Sequence, residues 1–343
     1  MHICKKLGKK SHKFFWIYRE KGYFCIFIKS KPYCSIMKVS IIIPVYNKED
    51  YVEKSLRSAL NVDFDDFEVI AVDDQSTDAS GKICDSLAQE DSRLRVFHIP
   101  NSRVTGARLY GLEQAQGDYV MFLDSDDELM PNALSATYPV IVREQADEVF
   151  ATYVDQYGRK YASSHKGLVT DTDGLIMEIC NRTAKFTFAW GVLYRKEILR
   201  GCLNKAMGHM YAEDKLMQIK VLMKHPKAFF VKDCILFYRA DLPNSWRSSV
   251  LYKDIDFEKE LKSVFSPRWN ELEPAYVMHR VKMYERYLEN RDFDACKHYR
   301  DLRQYRKAPY LSLPARIVLS LPPRISSLLV LAYRRWRRMR HKY

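Results

Sequence analysis

Gly117-Asp118-Tyr119-Val120-Met121-Phe122-Leu123-Asp124-Ser125-Asp126-Asp127 is the stretch on which the fold turns. Its apolar run, Tyr119 to Leu123, is too short for a helix and is bounded by Gly117-Asp118 and by acids, the pattern of a parallel strand buried on both faces. In a doubly wound sheet the carboxyl ends of such strands open onto the ligand crevice, so Asp124, Asp126 and Asp127 are expected at its mouth. In extended backbone Asp124 and Asp126 share a face. Like charges that close destabilise each other unless something positive lies between them. A divalent cation bridging to a diphosphate meets that need, because Mg2+ typically takes one or two carboxylates together with phosphate oxygens. Strand ends are also rich in Asp for backbone reasons, so the surroundings must decide.

Upstream, Val39-Ser40-Ile41-Ile42-Ile43-Pro44-Val45 reads as a β-branched buried strand with Pro44 near its end. An amphipathic helix follows over about 49–60, with Val52, Leu56, Ala59 and Leu60 on one stripe. Glu68 to Val72 is a second strand, ending in Asp73-Asp74, and Ser76-Thr77-Asp78 cap a helix that carries Ile83, Leu87 and Ala88. A short strand over 94–99 and a helix near 105–115 lead back to the acidic strand end. This alternation predicts an α/β fold with a parallel sheet and right-handed crossovers. No G-x-G-x-x-G follows the first strand, which disfavours a dinucleotide site.

Downstream of Pro131 a helix is expected over about 132–145, a strand over 149–157 and a polar loop over 158–172. Helical or mixed segments run to about 223, residues 229–238 read as a strand, and residues 254–306 read as charged amphipathic helices.

The +13 net charge of the 343-residue chain sits in its tails: residues 1–36 and 308–343 carry +8 each, which leaves −3 for the middle. A slightly acidic body argues against a nucleic-acid-binding fold. The eight cysteines form no C-x-x-C, and no window approaches a spanning apolar helix. Ile325 to Tyr333 is apolar and is followed by Arg334-Arg335-Trp336-Arg337-Arg338, which predicts a tail lying on an anionic membrane surface with Trp336 at headgroup level.

The strand ends Pro44-Val45-Tyr46-Asn47, Val72-Asp73-Asp74-Gln75-Ser76-Thr77-Asp78 and Leu123-Asp124-Ser125-Asp126-Asp127 occur in that order, and Tyr211-Ala212-Glu213-Asp214 comes later. With Asn101…Gly106-Ala107-Arg108…Gly111-Leu112 between them, this order resembles family 2 glycosyltransferases. The match spans about 38–250 and is densest over 38–131.

The resemblance implies a GT-A fold: a doubly wound, mostly parallel sheet with flanking helices, here with a C-terminal helical extension. It divides the chain into an extension (1–36), a transferase domain (37–250, with a nucleotide-binding half 37–131 and an acceptor half 132–250), helices (251–307) and a basic tail (308–343). It also implies a nucleotide-sugar donor, most often a UDP-sugar, a glycan or lipid-linked acceptor, a Mg2+ or Mn2+ cofactor, and a cytoplasmic, membrane-peripheral location. By resemblance, Pro44 and Tyr46 would line the uridine pocket and Asp74 would accept from the base ring N–H. Asp73 would orient its loop or touch the ribose. Asp126 would bind the metal, and Asp124 the ribose or a metal-bound water. Arg108 would neutralise the diphosphate or brace the acidic loops.

Glu213-Asp214 precedes the helical stripe Leu216-Met217-x-Ile219-x-Val221-Leu222, so the pair starts a helix, where anions are stabilised. Asp214 is the expected general base, since inverting transfer needs the acceptor hydroxyl deprotonated as it attacks. Glu213 would position the acceptor or the loop. Trp190 would be core or a stacking wall for a sugar, and Arg239 and Arg247 would contact phosphate. Gln75 and Arg103 stand where the family often has Gly. Two rivals remain at this stage. One is a phosphohydrolase using the Asp-x-Asp, for which Asp127-Glu128 is the wrong continuation. The other is an inactive nucleotide-binding scaffold, which intact Asp126 and Asp214 oppose.

Overall fold

The computed structural model describes residues 15–19, 22–26, 39–203, 212–240 and 251–340; Arg247 and Tyr211 lie outside the described residues. The chain divides into residues 1–37 and 38–343. In the first unit β1 (Phe15–Arg19) and β2 (Gly22–Ile26) pair antiparallel.

The second unit opens with the expected alternation: β3 (Val39–Val45), α1 (Val52–Leu60), β4 (Phe67–Asp73), α2 (Ser80–Glu90), β5 (Leu94–His98), α3 (Arg103–Gln114) and β6 (Tyr119–Phe122). These strands are mutually parallel, with Val39 opposite both Phe67 and Tyr119. All positions of β3 and β4 are buried. Ile42, Ile70, Val72 and Phe122 pack on one face of the sheet, and Ile41, Ile43, Val69 and Met121 on the other. That is why these strands read as continuous apolar runs. None of the three expected capping residues holds the N-cap of α2, which is Ala79 with no side-chain cap bond; Asp78, one residue before it, accepts from the Ser80 N–H at 2.9 Å.

The chain continues through β7 (Glu128–Leu129), α4 (Ala133–Arg143), β8 (Glu148–Asp155), β9 (Lys160–Tyr161), β10 (Gly167–Val169), α5 (Thr172–Cys180), β11 (Val192–Arg195), α6 (Glu213–Leu222) and β12 (Ala228–Tyr238). The strand order is β10-β12-β8-β11-β6-β3-β4-β5, with β7 also on β12 and β9 on β8. The sheet is therefore mixed: β11 runs antiparallel to both β6 and β8, while β8 and β12 are parallel.

Two expectations are corrected here. Residues 192–195, read as part of a helical or mixed segment, form β11, because a four-residue run has no period of its own and takes its state from the strands on each side. Residues 158–172, read as loop, contain β9 and β10, which are too short to show alternation.

Beyond the sheet lie α7 (Leu251–Phe265), α8 (Trp269–Glu289), a 3-10 segment (Ala295–Tyr305), α9 (Leu313–Ser320) and α10 (Pro323–Arg340). The last four share their own core around Val281, Leu288, Tyr299, Leu302 and Leu319. Among the described residues no helix is long and apolar enough to cross a membrane.

Candidate active site

The carboxyl ends of β3, β4 and β6 lie at one edge of the sheet because the strands are parallel and in register. Pro44 is buried, whereas Tyr46 keeps 47% of its surface exposed at the crevice edge. The loops after β3 and β4 latch to each other. Asn47 N–H donates to Ser76 Oγ (3.1 Å), and Asn47 Oδ1 accepts from Thr77 N–H (2.8 Å). Lys48 N–H donates to Ser80 Oγ (2.7 Å).

Asp73 and Asp74 are buried. Asp73 Oδ1 accepts from Ser76 N–H (3.1 Å), and its Oδ2 faces His98 Nδ1 (2.8 Å), whose Nε2 faces Asp85 (3.1 Å). Carboxylates only accept, so a histidine between two of them satisfies both contacts as the imidazolium. The Asp73 and Asp85 contacts accordingly raise the His98 pKa. Asp74 Oδ1 is held by the N–H (2.6 Å) and Oγ (3.0 Å) of Ser102, at the entry to α3.

Both positions where glycine was expected have left-handed backbone, φ +65° at Gln75 and +63° at Arg103. Gln75 offsets the strain, since its Oε1 accepts from Asn101 N–H (3.1 Å).

At the centre is Arg108, only 2% exposed. Its Nη2 donates to Asp124 Oδ1 (2.7 Å) and its Nη1 to Asp214 Oδ1 (2.5 Å). One cation thus ties the end of β6 to the first turn of α6. Gly111 makes this possible: a Cβ there would stand 2.4 Å from Ile42 Cγ2, so α3 can lie hard against β3 only without a side chain. Burial disfavours the Arg108 charge, but Asp214, Asp124 and Glu213 together outweigh it and hold the guanidinium protonated. Burial raises the pKa of Asp124, and Arg108 opposes that rise. Burial, followed by the Asp214 charge, raises Glu213.

Asp126 pairs with Lys48 Nζ at 2.6 Å. Asp127 is buried, its Oδ1 accepting from Arg239 N–H (2.8 Å), and burial pushes its pKa well above the usual carboxylate range. The Arg239 guanidinium reaches Glu128 (3.1 Å) and lies over the Tyr51 ring (5.2 Å).

Oxygens of Asp124, Asp126 and Asp127 lie within 4.8 Å of one another, and Asp127 Oδ2 is buried with no hydrogen-bond partner. A hard divalent cation fits this donor set, whose charge Lys48 and Arg108 offset only in part.

Trp190 is 4% exposed. Its ring stacks on Phe188 (4.4 Å, 14°) and on Tyr238 (5.2 Å, 20°), which also touch each other at 6.2 Å, with Tyr153 edge-on at 4.9 Å. This aromatic wall adjoins β6 through the Phe122–Trp190 bridge and borders a small cleft lined also by Phe150, Phe186 and Val192.

The structure therefore brings together Asp124, Asp126, Arg108, Glu213 and Asp214, and places Pro44, Tyr46, Asp73 and Asp74 along the same strand-end edge. Sequence reasoning missed Lys48 and Ser102. The only signal for Lys48 was its position just past the first strand end, and Ser102 had none beyond the Asn101 loop.

This site stands on a glycosyltransferase fold. Residues 40–203 match the profile of glycosyl transferase family 2. The structure of S. aureus TarS 1-349 in complex with UDP-GlcNAc superposes with a TM-score of 0.67 at 20% identity, over 87% of this chain and 92% of that one. Residues 40–203 form a glycosyl transferase family 2 domain, on the GT-A fold.

Among curated relatives, glycosyltransferase GlyA of Streptococcus pneumoniae is 28% identical over 71% of this chain, which spans 37% of GlyA. The GalNAc(5)-diNAcBac-PP-undecaprenol β-1,3-glucosyltransferase of Campylobacter jejuni is 29% identical over 59% of this chain and 64% of its own length.

Proposed function

We propose that the protein transfers a hexosyl unit, with inversion, from a UDP-sugar to a hydroxyl of a glycan or lipid-linked acceptor in surface-polysaccharide assembly. The transfer takes place at the cytoplasmic face of the membrane. The observation that carries this reading is the Asp124–Arg108–Asp214 bridge, which puts an acid from the acceptor half beside the donor-side acids. The likeness to TarS, solved with UDP-GlcNAc, and to an enzyme acting on an undecaprenol-diphosphate glycan supports the donor and acceptor classes.

Tyr46 packs on the uracil above Pro44. Asp74, held at one oxygen by Ser102, accepts the ring N–H with the other. Asp73 shapes the loop, since both its oxygens are engaged within the protein. Asp126, with Asp124 and Asp127 in reach, would hold a divalent cation, Mg2+ or Mn2+. When bound, that cation stabilises the charge on the departing diphosphate. Arg239 keeps the acidic loop in place through Asp127 and Glu128, and Trp190 with its stacked neighbours walls the acceptor side.

Arg108 occupies Oδ1 of Asp214, so Oδ2 takes the acceptor proton. The freed acceptor oxygen attacks the anomeric carbon from the face opposite the diphosphate. The carbon–oxygen bond to phosphate breaks, and UDP leaves with the electron pair.

The test is UDP release from a panel of UDP-sugars with a polyprenol-diphosphate glycan acceptor, using phosphate monoesters as control. Acceptor-stimulated UDP release is expected. Monoester turnover without UDP release would overturn the reading in favour of a phosphohydrolase.

A further inference from the structure

Exposed apolar surface is concentrated at one place in this molecule. Of twelve exposed large hydrophobic side chains among the described residues, seven lie on α9 and α10. From α9 come Leu313 (68% exposed) and Ile317, one turn apart. From α10 come Ile325, Leu328 (62% exposed), Leu329, Tyr333 and Trp336, at the spacing of a single helical stripe.

The polarity of α10 is inverted relative to a surface helix of a soluble protein. Its inward positions are Ser326, Ser327 and Val330. Ser327 Oγ donates to the Leu288 carbonyl (2.7 Å) and Ser326 Oγ to the Val318 carbonyl (2.8 Å). The small polar side is thus spent on docking to α8 and α9, and the larger apolar side faces outward. Such a face is unfavourable in water and marks an interaction surface.

Charge selects the occupant. Residues 308–343 contain eight Lys or Arg and no acid, so a second copy of this face would repel the first, whereas anionic headgroups would be attracted. Neither helix can span a bilayer, and aromatic residues such as Tyr333 and Trp336 favour the headgroup boundary.

We infer that α9 and α10 together form an in-plane docking face for an anionic lipid bilayer, with α9 as much a part of it as the basic tail. Because α10 is pinned to α8 and not carried on a free tail, binding holds the catalytic unit in one orientation above the lipid. This use of the face rests on the lipid-linked acceptor reading, though the geometry does not.

The experiment is flotation of the full-length chain with vesicles of phosphatidylcholine alone or containing one-quarter phosphatidylglycerol. Wild-type protein is expected to float with the anionic vesicles and to be released by salt. Leu313→Glu/Leu328→Glu changes only exposed positions and should weaken partition by at least about tenfold. Its melting temperature, and its UDP release with a water-soluble acceptor, should match wild type. Ile317→Ser with Leu329→Ser provides a milder second pair, expected to shift partition in the same direction.

Wild-type partition by either pair overturns the face. So does a dimer in solution that the substitutions dissolve, because the occupant would then be a second copy. Loss of flotation with intact UDP release supports the face independently of the acceptor. Absence of UDP release in wild type would instead strike the transferase reading and leave flotation to judge the face.

Discussion

The two halves of the transferase domain are built on different principles. In residues 39–131 every sheet pairing among β3, β4, β5 and β6 is parallel, and each site loop is held by its neighbour through side-chain-to-backbone bonds. In residues 132–240 the sheet is mixed, and the wall beside the site is a stack of aromatic rings. On the proposed reading, the first half meets a nucleotide diphosphate, which is the same whatever sugar it carries, and rigid polar latching suits a constant partner. The second half meets the acceptor, and it supplies only the start of α6 to the chemistry. The halves communicate through Arg108, which belongs to the first half and grips an acid of each.

The sharpest way to separate the halves is a paired substitution. Asp214→Asn should lower transfer by about 10²–10⁴-fold, the usual worth of a general base, with UDP-sugar affinity near wild type. Asp126→Ala should lose cation-dependent UDP binding first. Calorimetry for donor affinity and a transfer assay read the two, and equal behaviour of the variants would erase the division of labour.

Arg108→Met strikes the bridge itself. It leaves the carboxylates of Asp124 and Asp214 facing each other without their buried cation, and losing one partner of a buried ion pair costs about 3–5 kcal/mol. The lost stability should be partly regained as pH falls, because Asp124, whose pKa burial raises and Arg108 no longer lowers, then protonates. Denaturant unfolding across pH checks both parts; a loss that does not depend on pH would mean that packing, not charge, is what Arg108 supplies.

A smaller effect tests how much strain the donor half stores. Arg103 is exposed and holds φ at +63°, so Arg103→Gly should stabilise the fold by about 1 kcal/mol. Gln75→Gly should gain less, because it also removes the bond to Asn101. Thermal melts of the two variants should rank in that order.

The smallest effect belongs to His98, which is half exposed between Asp73 and Asp85. Its pKa is raised by Asp73 first and Asp85 second. Its contribution to the donor loop is therefore complete below the unfolded value of about 6.5 and fades as pH rises through the folded value. UDP affinity should decline modestly over that window, and His98→Gln should flatten the decline.

The donor half was legible in the sequence because its signals are local. Buried parallel strands read as apolar runs, and the acids that follow them mark the crevice edge in a parallel sheet whatever lies beyond. Asp124, Asp126, Asp73 and Asp74 could be named from their position after Leu123 and Val72. The acceptor half was less legible. β11 has four residues and owes its strand state to β6 and β8 on either side, and β9 and β10 are shorter still.

By itself, then, the chain's sequence determined the alternation of strands and helices up to residue 131, the acids at the strand ends, the acidic start of α6 and the placement of positive charge in the tails. All of these depend on residues close in the chain and on the periods of strand and helix. Only the tertiary structure decided that Arg108 would join acids 16 residues and 106 residues away in sequence, that Lys48 would face Asp126, and that α10 would turn its serines inward and its leucines out. Such pairings depend on how elements pack against one another, and no local pattern encodes which partner a side chain will meet.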